Sequence, residues 1–486
     1  MIGSILQMGV ALHIISMAGL ILFGVHRLWL LICGRKTPCD PFAKKIPANQ
    51  SPRVTIQLPL YNESRVAGRI INAAARIKWP LHLLEIQILD DSTDETQQIV
   101  DQRVAYWSNR GRDIRVIRRT SRKGYKAGAL AHGLTTAKGE FLAIFDADFI
   151  PPPDFLKKTV PHFSDPGVGM VQTRWGFLNA DFSWLTRMQA LLLSPHFSVE
   201  HKVRFHRSLF FNFNGTAGIW RRTAIEGAGG WRSDTVTEDL DLSYRAQIAG
   251  WRFVYLDSVV VPSELPISLS DFRGQQQRWG KGSIQTAKKI LPALLKSSLP
   301  VSIKIEAAAH LLANLCWLFG FMATLTLYPL IITRAGIGPY QILKIDIPVF
   351  IFSGGAFLFY YLCHALSARK RTTLLLLPIL PAFSIGLAPA LSLAVLKGCF
   401  RTGGHFNRTP KLGLKANARP GKTAFKRPER APLNLLMNLA LLLYTFAPVG
   451  LALQRETWGA VPFLLIFPLG FFLMAGNELH DFFYQQ

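Results

Sequence analysis

Hydrophobic and polar positions divide the chain into two regimes. Residues 50–300 alternate short apolar runs with amphipathic stretches, as in an ordinary soluble domain. Residues 301–400 and 432–476 instead hold long apolar runs with few charges. An apolar run longer than about 18 residues is long enough to cross a bilayer as a helix. The pattern therefore predicts a globular domain joined to a membrane domain.

The globular regime predicts an α/β fold. Its short β-rich runs are typical of buried parallel strands, and the amphipathic segments between them supply the crossover helices. We therefore expect an α/β domain with a largely parallel sheet. The predicted strands are 54–58, 85–89 and 141–145, and the predicted helices are 66–77, 94–109 and 126–137.

The first apolar segment, residues 6–32, has positive charge after it and none before it. A signal peptide has the opposite asymmetry, so this segment is expected to be an anchor that leaves the following chain in the cytoplasm. Five further apolar segments follow the globular domain. They are 308–333, 346–367, 374–396, 433–453 and 458–475.

The loop 397–431 carries ten Lys/Arg and one acid, so it should be cytoplasmic, like the globular domain. Two cytoplasmic regions are separated by an even number of crossings, yet three apolar segments lie between the domain and this loop. Pro378, Pro381 and Pro389 make 374–396 the best candidate for an interfacial or re-entrant helix. We therefore predict five spans and one in-plane segment.

The formal net charge of +25 would suit a nucleic-acid-binding protein, but its distribution argues against that class. No basic stripe is interleaved with base-stacking aromatic residues, and no zinc-ligand spacing occurs. Basic residues crowd beside the apolar segments, as expected for a protein in contact with anionic membrane lipids. No cysteine lies between residues 40 and 315, so the globular domain is expected in a reducing compartment.

Polar residues follow each of the three predicted strands: Glu63 after the first, Asp90 and Asp91 after the second, Asp146 and Asp148 after the third. In open parallel sheets, ligands bind outside the carboxyl ends of the strands, so these groups should converge on one crevice. Clustered carboxylates need a compensating cation. Asp146 and Asp148 could both reach one Mg²⁺ or Mn²⁺, with diphosphate oxygens completing its shell. Alone, such a pair is also common turn chemistry.

Three further positions allow both a structural and a chemical interpretation. Lys126 opens a predicted helix and could contact phosphate, although an isolated lysine there is more often solvated. Glu238 and Asp239 precede a helical pattern, where acids also cap helices. Arg278 offers a fork for a diphosphate, and Trp279 offers either a flat face for a sugar or an interfacial anchor.

In this order the motifs closely resemble those of the processive family 2 glycosyltransferases, the cellulose synthase and hyaluronan synthase group. Within that group they are most similar to the CslA-type mannan and glucomannan synthases. The resemblance covers about half the chain strongly and the membrane half loosely. The motifs are QLPLYNE at 57–63, LDDSTD at 89–94, YKAGAL at 125–130, FDADF at 145–149, FNGTAG at 213–218, TED at 237–239, SELP at 263–266 and QQQRW at 275–279.

The resemblance implies a GT-A-like α/β glycosyltransferase domain inserted in an all-α multi-pass membrane domain. The implied regions are the anchor 1–34, the cytoplasmic GT-A domain 50–270, interfacial helices 271–305, and the membrane domain 306–486 with a gating-like loop at 397–431.

On the donor side, the resemblance implies that Asp90 and Asp91 hold the nucleotide and that Lys126 helps to bind it. Asp146 and Asp148 would bind Mg²⁺ or Mn²⁺ together with the donor diphosphate.

On the acceptor side, the resemblance implies that Asp239 is the general base. Gln275, Trp279 and Glu238 would hold the acceptor end, and Arg278 would hold the departing nucleotide.

Residues 406–411 resemble the FxVTxK gating loop that closes over the donor, with Thr409 and Lys411 at its donor-binding positions. Arg408 replaces the valine of that motif, so the match is partial.

The implied function is processive, inverting polymerisation of sugar from GDP-mannose, GDP-glucose or UDP-glucose into a β-linked, 1,4 polysaccharide that leaves through the membrane. The expected partners are this donor, the growing polysaccharide and membrane lipids, with an accessory export subunit and no nucleic acid. The expected location is a bacterial inner membrane. The alternatives are a non-processive transferase acting on a lipid acceptor, and a transporter whose α/β domain is regulatory.

Overall fold

The computed structural model describes residues 2–334, 344–367, 371–404, 409–414 and 431–484, apart from 36, 39, 43–46, 48–49 and 346. Its globular part contains seven strands, which join in one sheet of order β3-β2-β1-β4-β6-β5-β7 once numbered along the chain. The strands are β1 Val54–Leu60, β2 Leu84–Asp90, β3 Asp113–Ile117, β4 Phe141–Ile144, β5 Val168–Phe177, β6 Gly218–Arg221 and β7 Arg252–Ser263.

The first four strands are parallel, which confirms the predicted parallel core. In the second half of the sheet, β6 runs antiparallel to both β4 and β5, whereas β5 and β7 are parallel. The sheet is therefore mixed, and the predicted GT-A-like α/β fold is confirmed. The carboxyl ends of β1, β2 and β4 meet at one edge, because Leu60 lies in register with Asp90 and Gln57 with Ile144.

The predicted crossover helices are present and pack by their apolar faces. Val66, Ile70 and Ala74 recur on one face of the first crossover helix and are fully buried against β1 and β2. Burying each larger apolar side chain stabilises the fold by about 1.5–3 kcal/mol. The helices of the globular part are α2 Ser64–Ala75, α3 Thr96–Ser108, α4 Tyr125–Thr136, α5 Phe155–Thr159, α6 Trp184–Pro195, α7 Lys202–His206, α8 Arg222–Gly227 and α9 Glu238–Ile248.

A 28-residue helix, α10 Leu269–Lys296, joins the globular domain to the apolar helices. It begins at an N-cap serine, Ser268, whose hydroxyl accepts a hydrogen bond from the backbone N–H of Asp271 at 3.1 Å. The QQQRW motif lies in its first half. The helix thus carries the 275–279 motif within the predicted interfacial region.

Five described helices are long and apolar enough to cross a membrane, and two shorter helices bent by 57° pass the same test together. This composition makes the chain a membrane protein. The remaining helices are α1 Ile2–Gly34, α11 Val301–Leu312, α12 Leu315–Leu325, α13 Leu327–Arg334, α14 Ile347–Phe350, α15 Ala356–Ser367, α16 Arg371–Leu374, α17 Leu380–Phe400, α18 Ala431–Gln454 and α19 Val461–Tyr484.

Helix α17, which contains most of the proline-bearing segment 374–396, differs from the other long apolar helices. In its most apolar stretch of 18 residues, 61% is buried within the protein, whereas the corresponding share is 22% to 33% in the other four helices. It runs beside α10: the rings of Phe272 and Phe383 stack at 6.2 Å, and Gln277 Nε2 donates to the carbonyl of Ala390 at 3.2 Å. Helix α17 is among the five that could cross a membrane, and its in-plane position stays a prediction. The count of five spans stays a prediction.

Candidate active site

A cleft of about 1250 Å³ lies at the carboxyl ends of β1, β2 and β4, below α10. It brings together residues that are as far apart in the chain as Pro59 and Lys411. The predicted site residues that line it are Asp91, Lys126, Asp146, Asp148, Glu238, Asp239, Gln275, Arg278, Trp279, Thr409 and Lys411. Asp90 is the one predicted site residue that the described cleft lining does not include.

The two carboxylates that follow β4 each contact a lysine. Lys126 Nζ lies 2.5 Å from Asp146 Oδ1 and donates to the carbonyl of Gly215 at 2.8 Å. Lys411 Nζ donates to Asp148 Oδ2 at 2.7 Å. Each ammonium group thus balances one carboxylate charge at the floor of the cleft.

Asp146 and Asp148 fit a hard divalent cation by the chemistry of their oxygens. Among the residues that the structure describes, no group of three or more His, Cys, Asp or Glu could hold a metal ion. A cation bound here would need oxygen ligands besides these two carboxylates, and the phosphates of a substrate could supply them. Mg²⁺ is commonly bound in this way, through one or two carboxylates together with substrate phosphates.

Asp239 lies at the start of α9, and its pKa is set by its surroundings. Burial first, and then the charge of Glu238, raises the pKa of Asp239 to about 7. The N-cap residue of α9 is Thr237, so Asp239 lies inside the first turn and is not the cap. A carboxylate with a pKa near 7 has the basicity that a general base requires at neutral pH.

Gly215 makes room for this carboxylate. A Cβ at this position would lie 2.9 Å from Asp239 Oδ2 and 3.4 Å from Lys126 Nζ. The residue also has φ +78°, which favours glycine. The glycine of the FNGTAG motif therefore lets the base and the lysine approach the same point.

Two of the cations in the cleft, Lys126 and Arg278, lie close to the same three acids. Burial acts to lower the pKa of Lys126, but the charges of Asp146, Glu238 and Asp239 outweigh it and raise the pKa above its usual value. Burial lowers the pKa of Arg278, while the same three acids oppose this shift. An acid cluster with two buried cations can receive a diphosphate without a large imbalance of charge.

Close packing brings α10 to the start of α9. A Cβ at Gly282 would lie 2.4 Å from Thr237 Cγ2, so only a glycine allows this approach.

In the same helix, α10, Gln275 Oε1 and Gln276 Nε2 are buried without a hydrogen-bond partner among the described residues. Buried polar atoms in this state are available to a ligand with hydroxyl groups.

The acids that follow β2 differ from each other. Asp90 is 1% exposed, and its carboxylate accepts from the backbone N–H of Ser92 and from Arg118 Nε, both at 3.0 Å. Asp91 lines the cleft and accepts from Arg119 Nε at 3.0 Å. The structure thus brings Asp91, but not Asp90, to the predicted nucleotide site.

The gating-like segment is described in part. Residues 409–414 lie at the cleft, where Thr409 is 8% exposed, whereas 405–408 and 415–430 lie outside the described residues. Arg408, the departure from the motif, is therefore among the positions without a structural account.

Four further lining or supporting residues were not predicted as site residues. The Arg122 guanidinium lies 3.3 Å from the centre of the Tyr61 ring at the cleft wall. Glu264 lines the cleft and pairs with Arg69 of α2 at 2.5 Å. The SELP motif was a signal for Glu264, but no local pattern marks Arg69, because its partners are distant in the chain.

A mixed sheet of this strand order, with acids at the carboxyl ends of its parallel strands and buried cations in one cleft, is typical of GT-A glycosyltransferases. Residues 52–282 match the family described as "Glycosyltransferase like family 2".

Curated relatives indicate which group of glycosyltransferases this chain resembles. Glucomannan 4-beta-mannosyltransferase 1 of Oryza sativa subsp. japonica is 42% identical over 290 residues, which cover 58% of this chain and 55% of the relative. Glucomannan 4-beta-mannosyltransferase 2 of Arabidopsis thaliana is 44% identical over 259 residues, which cover 52% and 48%. The resemblance to CslA-type synthases is confirmed. The matched region spans about half the length of these relatives, and their plant origin does not support a bacterial inner membrane.

A solved structure has a similar fold. The mannosyltransferase PcManGT from Pyrobaculum calidifontis, in complex with GDP-Man and Mn²⁺, superposes with a TM-score of 0.57 at 21% identity. The match covers 80% of this chain and 98% of that chain.

Proposed function

We propose that this chain is a processive, inverting glycosyltransferase that polymerises sugar from a nucleotide-sugar donor into a β-1,4-linked mannan or glucomannan. The observation that carries the proposal is the position of the Asp239 carboxylate in the same cleft as the Lys126–Asp146 pair, and burial supports it by raising the pKa of Asp239 to about 7. The names of the relatives, which are 4-beta-mannosyltransferases, support mannose as the sugar and 1,4 as the linkage.

In the proposed reaction, Asp239 accepts the proton of an acceptor hydroxyl group. The oxygen of that hydroxyl forms a bond to the anomeric carbon of the donor, while the bond from this carbon to the diphosphate oxygen breaks. The electron pair of the broken bond leaves with the nucleoside diphosphate. Because attack and departure occur on opposite faces, an α-linked donor gives a β-linked product.

The leaving nucleoside diphosphate gains negative charge, and cations of the cleft balance it. Arg278 and Lys126 supply positive charge from buried positions, where electrostatic interactions are stronger than in water. Asp146 and Asp148 would hold Mg²⁺ or Mn²⁺, and when bound that ion neutralises charge on the diphosphate.

The acceptor end of the polymer is proposed to lie against α10. Trp279 offers a flat apolar face, while Gln275 offers a buried oxygen without a described partner. Glu238 adds a second carboxylate beside the base. Since α10 packs along α17 at the start of the apolar region, a growing chain would leave toward the membrane helices.

We also propose that the catalytic domain is cytoplasmic and that the product crosses the membrane. The basic residues after the first apolar helix and in the loop 397–431 support this orientation. A cytoplasmic domain would have direct access to nucleotide sugars, and an accessory export subunit would then meet the polymer on the other side.

The test uses full-length protein purified into lipid nanodiscs. GDP-mannose, GDP-glucose and UDP-glucose are supplied separately with Mg²⁺ or Mn²⁺, and nucleoside diphosphate release is followed together with linkage analysis of the polymer. The expected result is release with GDP-mannose and a 1,4-linked product. A product of one sugar on lipid would instead support the non-processive alternative, and no release with any donor would contradict an enzyme of this class.

A further inference from the structure

The carboxylate of Glu264 lies between two distant parts of the chain. It is 4% exposed, and its Oε1 lies 2.5 Å from Arg69 Nη2. Its Oε2 accepts from the backbone N–H groups of Leu412 and Gly413, both at 3.2 Å. One buried carboxylate thus joins α2 of the catalytic domain to the described segment 409–414.

The guanidinium of Arg69 makes a second connection of the same kind. Its Nη1 donates to the carbonyl of Leu414 at 3.0 Å, and its Nη2 donates to the carbonyl of Asp148 at 3.3 Å. A planar fork is suited to hold two acceptors in a fixed relation, which a lysine could not do.

Lys411 completes the arrangement at the cleft. Its Nζ donates to Asp148 Oδ2 at 2.7 Å and to the carbonyl of Glu264 at 3.0 Å. The backbone N–H of Glu264 donates to the same Asp148 Oδ2 at 3.2 Å. The position of this lysine is therefore tied to the position of Glu264.

The close approach at Gly413 shows that the docked shape is specific. Its φ is +71°, and a Cβ there would lie 2.6 Å from the carbonyl oxygen of Arg65. A side chain at this position would thus push the segment away from α2.

We propose that Arg69 and Glu264 are a docking pair that positions the segment 411–414, and through it Lys411, at the donor end of the cleft. This inference rests on the proposed function, because it assigns to Lys411 a place beside the donor diphosphate. Glu264 and Arg69 act through the segment, so they are positioning residues.

The physical basis is the cost of burying a carboxylate. A buried charge is tolerated when it is paired and its remaining lone pairs accept hydrogen bonds. For Glu264, Oε1 faces the charge of Arg69 without a hydrogen-bond partner among the described residues, and Oε2 accepts both of its hydrogen bonds from the segment itself. The carboxylate therefore favours the docked state, and an amide in its place loses the charge-assisted part of those bonds.

The test compares Glu264→Gln with a matched control, Glu85→Gln. Glu85 is also a buried carboxylate: it pairs with Arg115 and accepts from Thr55 Oγ1 at 2.6 Å and from the backbone N–H of Lys138 at 2.8 Å. It lies at the start of β2, at the opposite end of the strand from the cleft. Both substitutions remove a buried ion pair, but only one concerns the segment.

Steady-state kinetics and trypsin cleavage after Lys411 are measured for each variant. Glu264→Gln should raise the KM for the donor about tenfold, which corresponds to about 1.4 kcal/mol, and should speed cleavage after Lys411. Glu85→Gln should leave both unchanged, although it lowers the melting temperature. Adding Glu264→Gln to Lys411→Met should cause little further loss, because both act through one lysine.

Equal kinetics and equal cleavage rates for the two glutamine variants would overturn the docking pair, as would full additivity with Lys411→Met. Wild-type protein that releases no nucleoside diphosphate would contradict the proposed function instead. In that case the cleavage rate after Lys411 still decides whether Glu264 holds the segment.

Discussion

Two acidic pairs follow strands of the same sheet and meet different cations. After β2, Asp90 and Asp91 are bound by Arg118 and Arg119, each through Nε at 3.0 Å. The guanidinium group is planar and permanently charged. Arg119 binds both oxygens of Asp91, whereas Arg118 binds Asp90 through Nε and Asp101 through Nη2. These arginines therefore build the first pair into the fold.

After β4, Asp146 and Asp148 are bound by lysines, Lys126 and Lys411. An ammonium group is a compact, flexible point charge without the fork of arginine. A divalent cation can replace it on a carboxylate more readily than it can replace a guanidinium group. The difference indicates that arginines hold both acids of the first pair in place, with Asp91 at the cleft wall, whereas the second pair is arranged to exchange its cation.

The largest expected effect concerns the second pair. Asp146→Asn and Asp148→Asn should each reduce turnover on the order of 10³-fold, because an amide cannot balance the charge of a divalent ion and several kcal/mol of charge stabilisation is lost. EDTA should cause the same loss of turnover in the wild type, and adding Mg²⁺ or Mn²⁺ should restore turnover. Full activity in metal-free buffer would show that the lysines, and not a metal, balance these acids.

The pH dependence of the rate adds a fifth acid, Asp239, to the comparison. Burial raises the pKa of Asp239 from 3.8 to about 7, and the deprotonated carboxylate is the form that accepts a proton. The rate should therefore fall about tenfold per pH unit below pH 7 and level off above it. Because the folded state binds this proton more tightly than the unfolded chain, stability contributed by Asp239 decreases as pH rises from about 4 to 7. A rate that is flat down to pH 5 would contradict the assignment.

Within the first pair, substitution of the two acids should have different effects. Asp91→Asn should weaken nucleoside diphosphate binding about tenfold, because Asp91 lines the cleft and a charge-assisted bond is worth about 1.5 kcal/mol or more. Asp90→Asn should instead lower the free energy of unfolding by about 1–3 kcal/mol through the lost contact with Arg118 and leave binding within about twofold. Calorimetric titration and thermal unfolding of both variants measure this. Equal losses of affinity would place Asp90 at the nucleotide after all.

The smallest expected effect exchanges one cation type for the other. Lys411→Arg should raise the metal concentration for half-maximal activity about fivefold, because a fork competes better for Asp148 than an ammonium group does. Lys138→Arg, at an exposed pair with Asp113, is the control. An unchanged metal requirement would mean that the kind of cation on Asp148 does not matter.

Local patterns predicted the floor of the cleft. Asp91, Asp146 and Asp148 each follow an apolar strand of a few residues, and the edge of a parallel sheet brings such strand ends together without further information. The antiparallel strand β6 and the packing of α17 along α10 were not evident in the same way. Both depend on tertiary contacts, which override local propensity.

The contacts that these acids make could also not be predicted from the sequence. The orientation of Asp90, toward the cleft or toward Arg118, depends on the position of Arg118, which follows β3 and lies 28 residues away. The position of Glu264 depends on a segment about 150 residues away. The family resemblance named the residues that are proposed to carry the chemistry. The contacts that hold those residues in place needed the fold.

The most direct test of the central claim is Asp239→Asn, measured for nucleotide binding and polymer synthesis in one purified preparation. A general base cannot be replaced by an amide, so synthesis should fall on the order of 10²–10⁴-fold. Nucleoside diphosphate binding should persist, since Asp91, Lys126 and Asp146 remain in place. Retained binding with lost synthesis is the predicted result. Synthesis at the wild-type rate would contradict Asp239 as the base and, with it, the proposed mechanism.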